Sequence, residues 1–572
     1  MLPYIDTPYK WAASLIGASS DELKLLSLFI ASYPLSGLLK RIPDSKPWQK
    51  NIFIISVGVF YLVGLFDLWT GLYTIVLSSA VAYGIAASMR DPLMPWVAFI
   101  ALMGHMSISH IYRQIKNDPN GVDITGAQMV LVMKLTSFCW NVHDGRLKDE
   151  DLSDFQKERA IKAMPDLLDF FGYVFFFPSL MAGPAFDYVE YTKYISTAMF
   201  DLPPGVDPAK APPRRKQRRI PRSGTPAMIK MAVGLFWILL YLQMSPIYTT
   251  DLLLSDEFLT YPFIRRVWNL HLFGFAARTK YYGVWALTEG ACILSGIGYS
   301  GFNVKTGHAN WDRVVNVKPL EIETAQNTRA YIGAWNINTN NWLRNYIFLR
   351  VTPKGRKPGF RATMATFVTS AMWHGFYPGY YMTFVLASFV QNVAKNGRRY
   401  IRPFFLSTSG DQTPLPRKRY YDIFTWLLTQ VTFSFVVAPF VLLRTSNSLE
   451  VWGRVYYYAI IGTLAGMAVF ASPVRGILSS KSKARMERPG IARTRSDASG
   501  AHDVMFGVPV DAEAELQELV DEVRSEIERR KALGLQVPNV KALVQERLAK
   551  MGSEVSKAVE SEAKKEVEKK EL

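Results

Sequence analysis

The sequence predicts an all-α polytopic membrane protein, with about 10 to 13 membrane helices around a buried cavity and a hydrophilic, partly helical C-terminal tail. Three observations predict this. Long apolar windows recur along a chain of 572 residues that is 49% hydrophobic, with a mean hydropathy of +0.06. A 33-residue stretch, Ala362 to Ala394, carries no charged residue. The composition then changes, so that residues 1–472 read as a membrane-embedded domain and residues 473–572 as a charged cytosolic tail.

Taken in order, the charge-free runs at 69–89, 92–112, 231–250, 423–443 and 455–474 each have the length of a bilayer crossing. Shorter or singly charged candidates lie near 23–40, 51–66, 126–142, 170–186, 259–278 and 281–302. Backbone groups in lipid must be satisfied within the segment, so these are helices; the alternating ten-residue strands of a barrel are not evident. The N-terminus shows no basic region, apolar core and small-residue cleavage site in succession, so the first membrane helix is expected to serve as the insertion signal. The Pro-rich loop at 201–225 is expected to be exposed and flexible. Residues 301–360 form the longest polar interval within the membrane domain. Within it, AWNINTNNWLRNYIFLR predicts a short amphipathic helix with Trp342, Tyr346 and Leu349 on one face and Arg344 off it.

The stretch from Ala362 to Ala394 would be roughly 50 Å long as one helix, against a hydrocarbon core of about 30 Å. Pro378 removes the hydrogen bond to the carbonyl of His374, and Gly375 and Gly379 loosen the same turn. The loops at 303–360 and 395–421 are both basic, so both are expected on the cytosolic side, with an even number of crossings between them. That favours two segments broken near Pro378, with His374 facing a cavity. In the tail, residues 475–500 are basic and Ser-rich and read as disordered. Residues 511–568 read as solvated helix in two pieces separated by Pro538.

The net charge of +18 sits in loop clusters such as Arg214, Arg215, Lys216, Arg218 and Arg219, which is a topology signal and not a nucleic-acid footprint. The two cysteines, Cys139 and Cys292, lie in apolar segments, leaving no disulfide framework and no Cys-based metal site. No P-loop, Rossmann glycine pattern, HExxH or G-x-S-x-G elbow is present.

Four polar constellations remain inside the apolar segments. His374, in SAMWHGFYPGYY, is costly in lipid, so it is either a satisfied core histidine or a working group. Glu289 is the only charge between Lys280 and Lys305; it is either paired with a buried base or lines the same cavity as His374. Asn336 and Asn338 belong to a cluster of four asparagines within six residues. Such a cluster can cap and turn the chain or supply an amide donor to a carbonyl. In MKLTSFCWNVHDGR, the residues Asn141, His143, Asp144 and Arg146 favour a hydrogen-bonded corner over a metal site, since no second histidine stands at ligand spacing.

Trp373-His374-Gly375, followed by Gly379-Tyr380, resembles the signature of the membrane-bound O-acyltransferase family. WNINTNNWLRNYIFLR resembles its second signature at the expected interval upstream. TEGACILSGIGYSGFN, MKLTSFCWNVHDGR and MAGPAFDYVEY are similar to the lysophospholipid acyltransferase branch, its broad-specificity fungal members above all, and the likeness covers most of residues 15–472. The resemblance implies an acyl-CoA-dependent lysophospholipid O-acyltransferase without permanent cofactor or metal. The catalytic histidine falls on His374 and the catalytic asparagine on Asn336, with Asn338 as the fallback in a repetitive stretch. Glu289, Asn338 and Trp373 are further candidates as catalytic or cavity-lining residues. Arg344, Arg350, Lys354, Arg356 and Tyr380 are candidates for substrate contact, the four basic ones for the CoA phosphates. The expected partners are acyl-CoA, lysophospholipid and membrane lipid. Lys569 and Lys570, at the fourth and third positions from the C-terminus, resemble a retrieval signal of endoplasmic-reticulum membrane proteins, read in the cytosol by coat-protein machinery. A different acceptor (sterol, diacylglycerol or protein) is the alternative within the family. A proton-coupled transporter using His374 and Glu289 is the alternative outside it, although no internal repeat is evident.

Overall fold

The computed structural model describes residues 3–16, 19–117, 121–202, 211–214, 218–303, 306–352, 360–407 and 413–486. The first half contains α1 (Pro3–Ile16), α2 (Ser20–Leu39), α3 (Pro47–Val59, continued by a π turn over Phe60–Leu65), α4 (Trp69–Ser88), α5 (Met94–Lys116) and α6 (Thr125–Asp144). Short helices follow: α7 (Asp154–Arg159), α8 (Leu167–Val174) and α9 (Tyr188–Ile195). Then come α10 (Gly224–Met244), α11 (Thr250–Leu254), α12 (Asp256–Thr260) and the long α13 (Phe263–Ser295). After a two-stranded antiparallel ribbon, β1 (Gly301–Phe302) with β2 (Ala309–Asn310), come α14 (Pro319–Glu323), α15 (Thr328–Gly333) and α16 (Ile337–Trp342), the last continued by a π turn over Leu343–Phe348. The chain closes with α17 (Phe360–His374), α18 (Pro378–Tyr400), α19 (Lys418–Leu442), α20 (Thr445–Arg454), α21 (Tyr458–Ala471) and α22 (Val474–Met486).

Among the described residues, six helices are long and apolar enough to cross a membrane: α2, α3 with its π turn, α4, α5, α10 and α19. The pair α20 and α21, bent by 79°, makes a seventh if counted as one span. This is fewer than the 10 to 13 expected, for identifiable reasons. The windows at 259–278 and 281–302 fall largely on the single 33-residue α13, about 50 Å long, which ends at Ser295. Its apparent interruption, Arg278, is buried and forks onto Glu323 with both nitrogens 2.9 Å from the carboxylate. The window at 170–186 is not a crossing: it holds the end of the eight-residue α8 and a 3-10 turn at Pro178, packed inside the protein. The stretch around His374 does divide near Pro378, into α17 and α18.

The molecule has two ends, tied by different contacts. At one, Lys40 Nζ lies 2.8 Å from Ser223 Oγ, Arg218 donates to the Arg41 carbonyl over 2.7 Å, and Arg146 donates to the Met89 carbonyl over 2.7 Å. Arg475 Nε donates to Tyr400 Oη over 2.9 Å at the same end of α18 and α21. At the other end, the Val122 amide bonds Asp21 Oδ2 over 3.1 Å, and Arg454 bonds the Leu253 carbonyl over 3.1 Å. The first end gathers most of the loop Lys and Arg and is called the basic end below; the second is the far end.

Two packing features position the site. The α10 and α13 backbones touch at paired glycines: a Cβ on Gly283 would meet the Gly234 carbonyl oxygen at 3.0 Å, and one on Gly234 the Gly283 oxygen at 3.1 Å. α6 is buried nearly all round, so it acts as a central post for the elements around it.

Three expectations change with the structure. Residues 475–486, read as disordered, form α22, whose Arg485 donates to the Pro403 carbonyl over 2.9 Å. The described parts of the 201–225 loop are docked, with Ile220 2% exposed. Leu349 faces outward, while Trp342 and Tyr346 are buried. The stretch 511–568, Pro538, Lys569 and Lys570 lie outside the described residues.

Candidate active site

The chain leaves α17 immediately after His374. Gly375 takes a φ of 113°, which suits a residue without Cβ, and its amide donates to the Met372 carbonyl over 3.1 Å. Pro378 then opens α18 at the first turn, where a missing N–H costs nothing. The imidazole of His374 is only partly exposed and sits in an aromatic box. Its ring centroid is 4.7 Å from Trp373, 5.3 Å from Phe384, 4.9 Å from Phe440 and 5.7 Å from Tyr380. Among the described residues, no hydrogen bond engages its ring nitrogens.

The asparagine cluster separates into distinct tasks. Asn338 Nδ2 donates to Asn316 Oδ1 over 3.0 Å, and its amide N–H donates to the same oxygen over 3.1 Å. Asn340 Nδ2 donates to the Trp335 carbonyl over 2.8 Å, closing its own turn, and Asn341 points outward. Asn336 stands at the start of α16 with φ 45°, in the left-handed region that asparagine tolerates. Its Oδ1 accepts from Thr339 Oγ1 over 2.8 Å. Among the described residues no acceptor engages its amide NH2.

Both signatures are fastened to one face of α6. Trp373, the neighbour of His374, donates through Nε1 to the Met129 carbonyl over 3.0 Å. Thr339, the partner of Asn336, lies 3.4 Å from the Met133 sulfur. Trp342 donates to Thr136 Oγ1 over 2.9 Å. Met129, Met133 and Thr136 follow the helical repeat, and the first two are one turn, about 6 Å, apart. A second wall comes from α13, where Trp335 packs at 5.5 Å from Tyr281 and 5.0 Å from Trp285.

The other predicted residues go elsewhere. Glu289 is buried against α10, its Oε1 2.8 Å from Lys230 Nζ. Arg350 forks onto the buried Asp144, with Nη1 2.7 Å from Oδ1, and stacks 4.4 Å over Trp140. The DGR corner is thus a hydrogen-bonded one, as its spacing suggested. Tyr346 Oη lies 2.9 Å from Asp187 Oδ1 and 3.1 Å from the Asn141 amide. Both partners present acceptor oxygens, Asn141 through Oδ1, so the one hydroxyl proton of Tyr346 serves either of them. Burial, with Glu190 nearby, raises the Asp187 carboxyl above the usual carboxylate range, against the pull of Arg159, whose Nε is 2.7 Å away. Arg344 is half-buried in the π turn, and Lys354 and Arg356 lie outside the described residues. A cleft of ≈ 400 Å³ opens at the far end beside the turn after His374, lined by Gln114, Asn117, Tyr377, Pro378, Arg444 and Thr445. Sequence reasoning missed Thr339, which bonds Asn336 within its own turn and meets Met133 of α6.

The multi-pass helical architecture thus fastens the segments carrying His374 and Asn336 to one helix, α6. Comparisons with known proteins give its family. Residues 118–438 match the model of the membrane-bound O-acyltransferase family. The chain is 45% identical over 482 residues to the lysophospholipid acyltransferase of Schizosaccharomyces pombe, covering 84% of this chain and 92% of that protein. It is 43% identical over 465 residues to the lysophospholipid acyltransferase of Saccharomyces cerevisiae, covering 80% and 75%. It is 31% identical over 420 residues to the mouse membrane-bound glycerophospholipid O-acyltransferase 1, covering 72% and 82%. The chain belongs to the membrane-bound O-acyltransferase family and is an acyltransferase.

Proposed function

We propose that the protein transfers an acyl chain from acyl-CoA to the free hydroxyl, mainly sn-2, of a lysophospholipid, giving phospholipid and CoA. The observation that carries this reading is the 45% identity, over 84% of the chain, to a relative named for that activity. The geometry adds its support: His374 and Asn336 belong to segments fastened one turn apart on α6.

In the proposed step, a ring nitrogen of His374 takes the proton of the lysophospholipid hydroxyl. General-base work requires a neutral imidazole, and among the described residues the ring contacts of His374 are aromatic, with no carboxylate. The oxygen attacks the thioester carbonyl, whose developing negative charge is met by the Asn336 NH2. The C–S bond breaks, and the CoA thiolate takes the proton from the imidazolium. Atoms balance without an acyl-enzyme. Trp373 and Tyr380 form walls of the imidazole box.

Acyl-CoA is proposed to dock at the basic end, with Arg344, Lys354 and Arg356 near its phosphates. Arg350 is proposed to be structural instead, because Asp144 occupies its fork. The basic end is proposed to face the cytosol, which also puts the tail with Lys569 and Lys570 there, available to retrieval machinery of the endoplasmic reticulum. Residues 473–572 are proposed as a separate cytosolic tail.

The test is acyl transfer in microsomes supplied with labelled acyl-CoA and a panel of lysophospholipids. The wild-type chain is expected to label the matching phospholipids only when an acceptor is added. Loss of a general base is expected to cost about 10²–10⁴-fold in kcat. His374→Ala is therefore expected to be nearly inactive at normal abundance, and retained transfer in that variant would overturn the base assignment.

A further inference from the structure

We infer that His110 is a positioning residue for the catalytic turn: its imidazole clamps the Trp373 carbonyl and thereby sets where the neighbouring His374 ring points. The inference rests on the proposed role of His374.

The last four carbonyls of a helix lack partners inside it. In α17 this leaves the carbonyls around Trp373 open, because the chain turns away at Gly375. Met372 is served by the Gly375 amide. Trp373 is served from another helix: His110 Nε2, on α5, lies 3.2 Å from its oxygen. A carbonyl only accepts, so Nε2 carries the proton and Nδ1 is bare. His110 is 6% exposed, so this is a buried bond in place of one to water.

The contact is tight on its other side as well. A Cβ on Gly375 would stand 3.1 Å from His110 Nδ1. The positive φ and the close approach both demand glycine there, and the second demand comes from His110. Trp373 is therefore held twice, through its carbonyl by α5 and through its indole by Met129 of α6. His374 is bonded to Trp373 on one side and Gly375 on the other, so its backbone cannot shift without breaking one of these contacts. The 33-residue charge-free stretch explains the need. The break between the two apolar halves is tied by the Trp373 indole on α6, by the Gly379 amide on the Leu443 carbonyl over 2.9 Å and, at the carbonyl next to His374, by His110 of α5.

The experiment compares His110→Leu, which fills a similar volume without a donor, with His110→Gln, whose NH2 can reach the Trp373 carbonyl. A displacement of about 1 Å at a catalytic group costs on the order of 10²-fold in rate. His110→Leu is expected to lose kcat on that scale, with KM for acyl-CoA and for acceptor little changed, and His110→Gln is expected to restore most of it. Hydrogen exchange over residues 370–380 of the detergent-solubilised protein gives a readout independent of the acceptor. It is expected to quicken in His110→Leu and to stay near wild type in His110→Gln. A leucine variant with wild-type kcat, or equal exchange in the two variants, overturns the inference. Failure of the acceptor assignment shows separately, as a wild-type protein that does not acylate lysophospholipids while the exchange difference persists.

Discussion

Asn336 holds a conformation that most residues avoid, with φ 45°, and its amide is oriented by Thr339 and not used to brace the fold. Its two nearest asparagines have the opposite balance. This predicts a dissociation of activity from stability. Asn336→Gly removes the amide while suiting the left-handed backbone. It is expected to unfold at the wild-type temperature or slightly above, yet to lose about 10²–10³-fold in kcat, the usual cost of one oxyanion donor. Asn338→Ala removes the side-chain donor to Asn316 Oδ1 and keeps the backbone one, so it is expected to lose about 0.5–1.5 kcal/mol of stability while the surviving enzyme turns over near the wild-type rate. Thermal unfolding and kcat measured on the same preparations would check this, and the reverse pattern would move the catalytic amide to Asn338. Sequence could not choose on physical grounds between asparagines two residues apart, because what separates them is a tertiary pairing of Asn338 with Asn316 and a local bond from Thr339 to Asn336 that forms only in this turn geometry. His374 stands out as a candidate on its own, because a titratable group in a 33-residue charge-free stretch is conspicuous.

At the scale of elements, α6 joins the working parts. The π turn after α16 lies along it, and the join is locked at the basic end by Arg350 and Asp144. Asp144 is fully buried, its side chain 0% exposed. Removing one member of such a pair strands a charge, at a cost of about 3–5 kcal/mol. Arg350→Ala is accordingly expected to fall sharply in abundance and unfolding temperature, and Asp144→Asn with Arg350→Met to recover much of the loss. If Arg350 instead held CoA phosphates, Arg350→Ala would keep its stability and raise the KM for acyl-CoA. The break at Pro378 was readable because length and proline both demanded it. The continuity of α13 was not, because Arg278 reads as an interruption until Glu323, 45 residues on, is seen to neutralise it. α6 is buried on all sides, so it shows no polar face and its window cannot be told from a lipid-facing span.

At the scale of the whole molecule, the asymmetry between the two ends converts into an orientation. α17 starts on the basic side and runs roughly 22 Å inward, so His374 lies in the half nearer the far end, beside the cleft at Tyr377 and Pro378. A CoA head held at the basic end must therefore send its thioester deep into the protein, while a lipid acceptor can reach His374 within the bilayer. This arrangement is useful only if the basic end faces the cytosol, and the chain's cysteines make that testable. Cys139 and Cys292 are both buried, so a single new surface cysteine reports its own side. Lys148 is exposed at the basic end, four residues past Asp144. Asp251 is exposed in the first turn of α11 at the far end, close to the Leu253 carbonyl held by Arg454. In sealed microsomes, Lys148→Cys is expected to react with a membrane-impermeant maleimide at once. Asp251→Cys is expected to react only after the membrane is permeabilised. Both variants lie outside the proposed site and are expected to keep wild-type transfer, which shows that the labelled protein is folded. Labelling of Asp251→Cys in intact vesicles, with Lys148→Cys protected, would invert the molecule and put its donor site on the wrong side of the membrane for cytosolic acyl-CoA.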